Sequence, residues 1–179
     1  IHEKILEHAN LTKAEAKEKA DYYDNRIGNL EYLLKMTAAI LAMSTPIICL
    51  LGYGYLNSIS QYWNTEMQPL FIFSNVLTAY YFFSTSNWKL SSVLLILLTA
   101  FSIEWYPSLH NILAVSFFIS NLIPLYKSKR FKYCMWIYLS SIIILPFSLF
   151  FSEAIAIGAL CTFHIHSLNK MYRLTKVDL

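Results

Sequence analysis

Glu104, His110 and Asn111 fall within the run Glu104-Trp105-Tyr106-Pro107-Ser108-Leu109-His110-Asn111, and a second acid, Glu153, follows at the edge of a later apolar stretch. Carboxylates facing an imidazole can share a proton, bind a divalent metal or hold a polar head group. Glu104 and Glu153 beside His110 would also suit a paired-carboxylate hydrolase. His164 lies eleven residues beyond Glu153, almost three helical turns, so the two share one helix face about 16 Å apart along the axis. His166 is rotated away from that face, so His-Ile-His does not chelate from one helix. Asn75, Asn111 and Asn121 are the other polar groups in apolar surroundings, and hydrogen bonding between helices suffices to explain them.

The common catalytic layouts are missing. There is no nucleophile-elbow glycine-serine motif, no phosphate-cradling glycine loop and no His-Glu-x-x-His, and the chain has only four glycines. Cys49, Cys134 and Cys161 lie in apolar runs at unrelated spacings, the pattern of small buried hydrophobes rather than of a disulfide or zinc framework. No cofactor or metal is expected. The plainer interpretation of Glu104, His110 and Glu153 is that they are wetted interfacial residues, with Glu153 favoured by a helix N-terminus.

The elements that must position these groups follow from composition. Of 179 residues, 56% are hydrophobic and only 14% are charged, against about a quarter charged in soluble domains. Residues 36–172 are almost continuously apolar, and a soluble domain of this size could not bury them all. The expected fold is all-α: a polytopic bundle of six membrane spans at 36–55, 69–86, 90–104, 109–126, 133–151 and 154–172. Pro46, Pro124 and Pro146 fall inside spans, where neighbouring helices can compensate for lost backbone bonds. Trp63, Trp88, Trp105, Tyr126 and Tyr133 sit near span ends, as interfacial aromatics do.

Residues 1–35 form a charged segment with a Thr12-Lys13-Ala14-Glu15 capping box and opposite charges at helical spacing. It reads as a cytoplasmic amphipathic helix, either solvated or serving as a contact for a partner or a second copy. Residues 173–179 form a tail. All 14 Lys and Arg lie on the side that holds residues 1–35, the 87–89 turn, the 127–132 loop and the tail, or at its membrane edge. The loops 56–68, 105–108 and 152–153 have none, so the positive-inside rule makes both termini cytoplasmic. A net charge of +3 is too small to suggest a nucleic-acid partner. The absent signal peptide and disulfides fit a bacterial inner (plasma) membrane.

Several segments resemble a family of six-helix membrane proteins, the damage-regulated autophagy modulator-like proteins and their prokaryotic relatives of unknown function. They are Ser58-Ile59-Ser60-Gln61-Tyr62, Phe71-Ile72-Phe73-Ser74-Asn75, Ser108 to Phe118 with its His-x-x-x-Ala-x-x-Phe-Phe pattern, and Ser152-Glu153-Ala154-Ile155-Ala156-Ile157. The resemblance covers residues 36–172 and implies a six-helix bundle with both termini cytoplasmic. It also implies association with lipids or small ligands more than a named reaction. Gln61 stands where some relatives carry an acid, which speaks against a metal in the first loop.

The expected function is therefore binding of a lipid or small amphiphile at a polar pocket near the outer interface, formed by Glu104, His110, Asn111, Glu153, His164 and Asn75. One alternative is a membrane-embedded hydrolase, with or without a metal, using Glu104, His110 and Glu153. Another is an oligomeric pore or effector controlled through residues 1–35. Membrane lipids are the expected partners, with a homo-oligomer or a protein partner open through the N-terminal segment.

Overall fold

The computed structural model describes residues 29–83, 86–128 and 131–177, and the structure is all-α. The capping box at Thr12 and the charged helix expected over most of residues 1–35 lie outside the described residues. The chain divides into residues 1–34 and a larger unit, 35–179. The first described helix, α1, is Asn29–Tyr53. A 3-10 turn at Ile59–Asn64 leads to α2 (Gln68–Phe83), and a second, at Ser86–Trp88, leads to α3 (Lys89–Ala100). Then come α4 (Pro107–Lys127), α5 (Lys132–Ile144) and α6 (Leu149–Val177). Among the described residues, three helices are long and apolar enough to cross a membrane: Asn29–Tyr53, Pro107–Lys127 and the Leu149–Asn169 part of α6. The chain is a helical membrane protein.

Local chemistry explains where the helices stop, and it moves several ends away from the positions expected from hydropathy. α1 runs through Pro46 and ends at Gly54, whose φ of +105° suits a residue without a Cβ. The Gly54 carbonyl accepts the Tyr62 hydroxyl at 2.6 Å, which ties this end to the following turn. α3 ends at Ala100, short of the expected limit at 104, because Phe101 is extended and the next residues form their own turn. There the Ser102 hydroxyl accepts the Glu104 N–H at 3.1 Å and donates to Asn64 Oδ1 at 3.3 Å. α4 opens on Pro107, whose fixed φ suits the first helical position.

The largest difference lies between α5 and α6. A span at 133–151 carrying Pro146 inside it is replaced by a break. α5 stops at Ile144, since Pro146 has no N–H and its ring would strike the carbonyl four residues earlier. Ser148 then caps α6, its hydroxyl accepting the Phe151 N–H at 3.3 Å. Consequently α6 begins at Leu149, not at 154, and Glu153 lies in its second turn.

α2–α3, α3–α4 and α5–α6 pack as antiparallel neighbours. One apolar core joins Leu95, Leu98, Leu113, Phe117, Ala156 and Leu160. A smaller one gathers Cys49, Ile59, Tyr62, Phe71 and Phe150 around the first 3-10 turn. Buried Ser91 and Ser120 exchange a 2.9 Å hydrogen bond between α3 and α4, a contact that small residues permit. Trp88, expected at an interface, is instead core. Its ring lies 5.6 Å from that of Phe163 and 4.7 Å from that of His164 on α6. Cys49, Cys134 and Cys161 are free and buried.

Candidate functional site

Glu153 is 8% exposed and has no basic side chain among its hydrogen-bond partners. Its carboxylate accepts the Ile59 N–H at 2.7 Å through Oε2. The Ser58 hydroxyl donates to the same carboxylate, 3.0 Å from Oε2 and 3.2 Å from Oε1. Ser58 is also the N-cap of the 3-10 turn. Its oxygen accepts the Ser60 N–H at 3.1 Å, while Gln61 reaches back to the Asn57 and Ser58 N–H groups. A Ser-x-x-Gln capping box thus holds the donors that meet the acid. Two residues distant in sequence, Ser58 and Glu153, are joined through a turn only six residues long.

His110, in the first turn of α4, is 2% exposed. Its Nδ1 lies 2.6 Å from the Phe101 carbonyl oxygen. A carbonyl only accepts, so Nδ1 carries a proton, and in the neutral ring Nε2 then carries a lone pair. Nε2 is buried and has no hydrogen-bond partner among the described residues. An unsatisfied buried polar atom of this kind costs about 1–3 kcal/mol.

His110 and Glu153 wall the same cavity, of about 410 Å³. Asn111, Ser58 and Ser60 join them at its polar part. The remaining lining is mostly apolar and comes from α4, α5 and α6, including Phe118, Leu122 and Ala156. Several lining side chains, among them Val115, Ile119, Ile142 and Leu145, are also exposed on the outside of the helices. The cavity therefore reaches the lateral surface at the rim formed by α4 and α5. A smaller cavity, of about 70 Å³, lies on the other side of Glu153 and is lined by Asn75, Ser74 and Thr78 of α2. Glu153, Ser60, Ala114 and Phe118 face both spaces.

Of the six residues expected at the site, His110, Asn111 and Glu153 meet at the larger cavity, and Asn75 lines the smaller one. Glu104 is exposed, lies in the turn beyond α3 and lines neither cavity. Its expected place at the end of a span depended on α3 continuing to 104, and the Ser102 turn prevents that. His164 also lines neither cavity; it packs on Trp88 and Phe163. Its register with Glu153 on one helix face does not bring it to the same space, because Trp88 covers it. Among the described residues, no three His, Cys, Asp or Glu side chains converge as a group able to hold a metal.

Ser58 and Ile59, which supply the donors to Glu153, were not anticipated in this role. The Ser58-x-x-Gln61 spacing was the available signal, since a capping box predicts a turn that presents free N–H groups.

No protein-family model matches the chain, and neither does any curated protein or solved structure.

Proposed function

We propose that this protein binds a lipid or small amphiphile in the cavity walled by His110 and Glu153. The observation that carries the reading is the make-up of that one space. A buried carboxylate and a buried imidazole whose Nε2 has no partner among the described residues stand at a lining that is otherwise mostly apolar and reaches the lateral surface between α4 and α5. Ligand pockets combine an apolar lining with a few convergent polar groups, and 410 Å³ lies in their usual range. A head group would sit against His110 and Glu153, and an acyl chain would run along Phe118, Ile119 and Leu122 toward the surrounding lipid.

The test is native mass spectrometry of protein released from lipid nanodiscs, comparing the wild type with Ile119→Trp. Ile119 is exposed at the rim, so the larger ring fills the cavity mouth without disturbing the core. Bound amphiphile on the wild type and its loss from Ile119→Trp is the expected result. A wild type that carries none refutes the reading.

The same proposal has the chain crossing the membrane six times with both termini on the cytoplasmic side, as the resemblance to the damage-regulated autophagy modulator-like proteins implies. Support comes from charge at the observed helix ends. The segments 54–67, 101–106 and 145–148 contain no Lys or Arg, whereas Lys89, Lys127 and Lys132 flank the opposite helix ends. α2, α3 and α5 have 16, 12 and 13 residues, below the ~20 that cross a bilayer unaided, so they would need local thinning of the bilayer. Under this topology the cavity's polar part lies toward the outer interface.

A hydrolase would have to work with His110 and Glu153 alone, since Glu104 is outside the cavity lining. Binding is the better supported reading.

A further inference from the structure

The polar part of the larger cavity has a marked imbalance between hydrogen-bond donors and acceptors. Four lining hydroxyls have already committed their single proton within the protein. Ser58 donates to Glu153, and Tyr138 to the Phe118 carbonyl at 2.8 Å. Ser141 donates to the Tyr138 carbonyl at 2.7 Å, and Ser152 to the Ser141 carbonyl at 2.8 Å. A hydroxyl whose proton is engaged has only lone pairs left to offer. His110 directs its Nδ1 proton at the Phe101 carbonyl, so in the neutral ring its Nε2 is an acceptor. Glu153 Oε1 has a single long contact with a Ser58 proton that Oε2 holds more closely. Among the described residues, no Lys or Arg lines the cavity, and only the Ser60 and Asn111 side chains have polar protons that are not already engaged.

We infer that the cavity selects an amphiphile whose head group is a non-anionic hydrogen-bond donor, a hydroxyl or an amine, and rejects phosphate and carboxylate heads. The inference rests on the binding reading above and goes further by naming the head-group chemistry. A hydroxyl or ammonium hydrogen would satisfy Nε2 of His110 and relieve the unpaired imidazole nitrogen, and a second such hydrogen of the same head group would suit Oε1 of Glu153. An anion would meet a carboxylate and a row of lone pairs with no cation to offset them. Like charges and unpaired acceptors at close range disfavour such a ligand strongly.

The experiment uses the full chain in nanodiscs of zwitterionic lipid, with three probes carrying the same eighteen-carbon chain length, about the size of a membrane lipid chain. They are monooleoylglycerol, its phosphate ester and oleylamine. Monooleoylglycerol or oleylamine should bind with one-to-one stoichiometry and at least about tenfold more tightly than the phosphate ester, the factor that one lost hydrogen bond to a charged group produces. Whichever of the two donors binds better identifies the head group. Glu153→Gln turns an acceptor into an NH₂ donor, so it should weaken the preferred probe and narrow its advantage over the phosphate ester. His110→Asn keeps a donor for the Phe101 carbonyl while removing Nε2, and should weaken the preferred probe without lowering the melting temperature. If the phosphate ester binds as tightly as the other two, the inference is overturned while the binding reading stands. If none of the three binds, both fall. Should Glu153→Gln fail to fold, the ranking of probes on the wild type and on His110→Asn still decides.

Discussion

Glu153 shows how a carboxylate can be held in an apolar bundle without a cation. Its partners are the Ser58 hydroxyl and the Ile59 N–H, both presented by a capped 3-10 turn. Replacing it by Ala leaves both donors buried and unpaired, so Glu153→Ala should destabilise the protein by about 2–4 kcal/mol, read as a lowered midpoint in detergent unfolding. Ser58→Ala removes a cap and a donor together and should cost about 1–3 kcal/mol. Because the two side chains share one bond, the double variant should lose less than the sum of the single losses, by about 0.5–3 kcal/mol. Strict additivity would mean that the Ser58–Glu153 contact contributes nothing. His110 presents the opposite condition, since one ring nitrogen is strongly bonded and the other has no partner among the described residues.

At the scale of elements, short polar signals set the helix ends that position these residues. Ser148 begins α6 and Pro146 ends the reach of α5, so Glu153 is set one turn inside a helix and against the 3-10 turn. Ser148→Ala should cost about 1 kcal/mol by loss of the N-cap, with a small fall in melting temperature. A larger effect is expected on amphiphile binding than a remote surface Ser→Ala produces, because Leu149 and Ser152 of the same turns line the cavity. Unchanged binding in Ser148→Ala would show that the α6 start does not govern the site. The Ser102 turn has the parallel role at α3: it ends the helix at Ala100, frees the Phe101 carbonyl for His110, and leaves Glu104 on the surface.

For the whole molecule, the arrangement of charge and the lateral cavity lead to expectations about sidedness. With six spans, a cysteine placed at Ser108 should react with an impermeant maleimide added to intact cells, and one at Ser128 only after the membrane is opened. The three native cysteines are buried and need not be removed. Reaction at Ser128 from outside would overturn the topology. Much of the helical architecture was legible in the sequence: each of the six apolar runs overlaps a helix. Missed boundaries fell where one residue outweighed the average hydropathy of its neighbours. Pro146 broke a run that remained apolar on both sides, and Ser102 did the same after α3.

Composition and linear spacing by themselves determined that this chain is helical and membrane-embedded, because apolar runs longer than a soluble core can bury need no partner to declare themselves. They also nominated His110, Asn111 and Glu153, which are polar groups where polar groups are costly. Only the tertiary structure decided which nominees meet. Glu104 and His164 have chemistry as suitable as that of His110 and Glu153, but a turn carries one to the surface and Trp88 covers the other. The donors to Glu153 come from a turn some ninety residues away in the chain, as the Ser58–Glu153 separation of 95 shows. Such a pairing depends on how α6 packs against the 3-10 turn, a long-range contact that leaves no periodic trace in either segment.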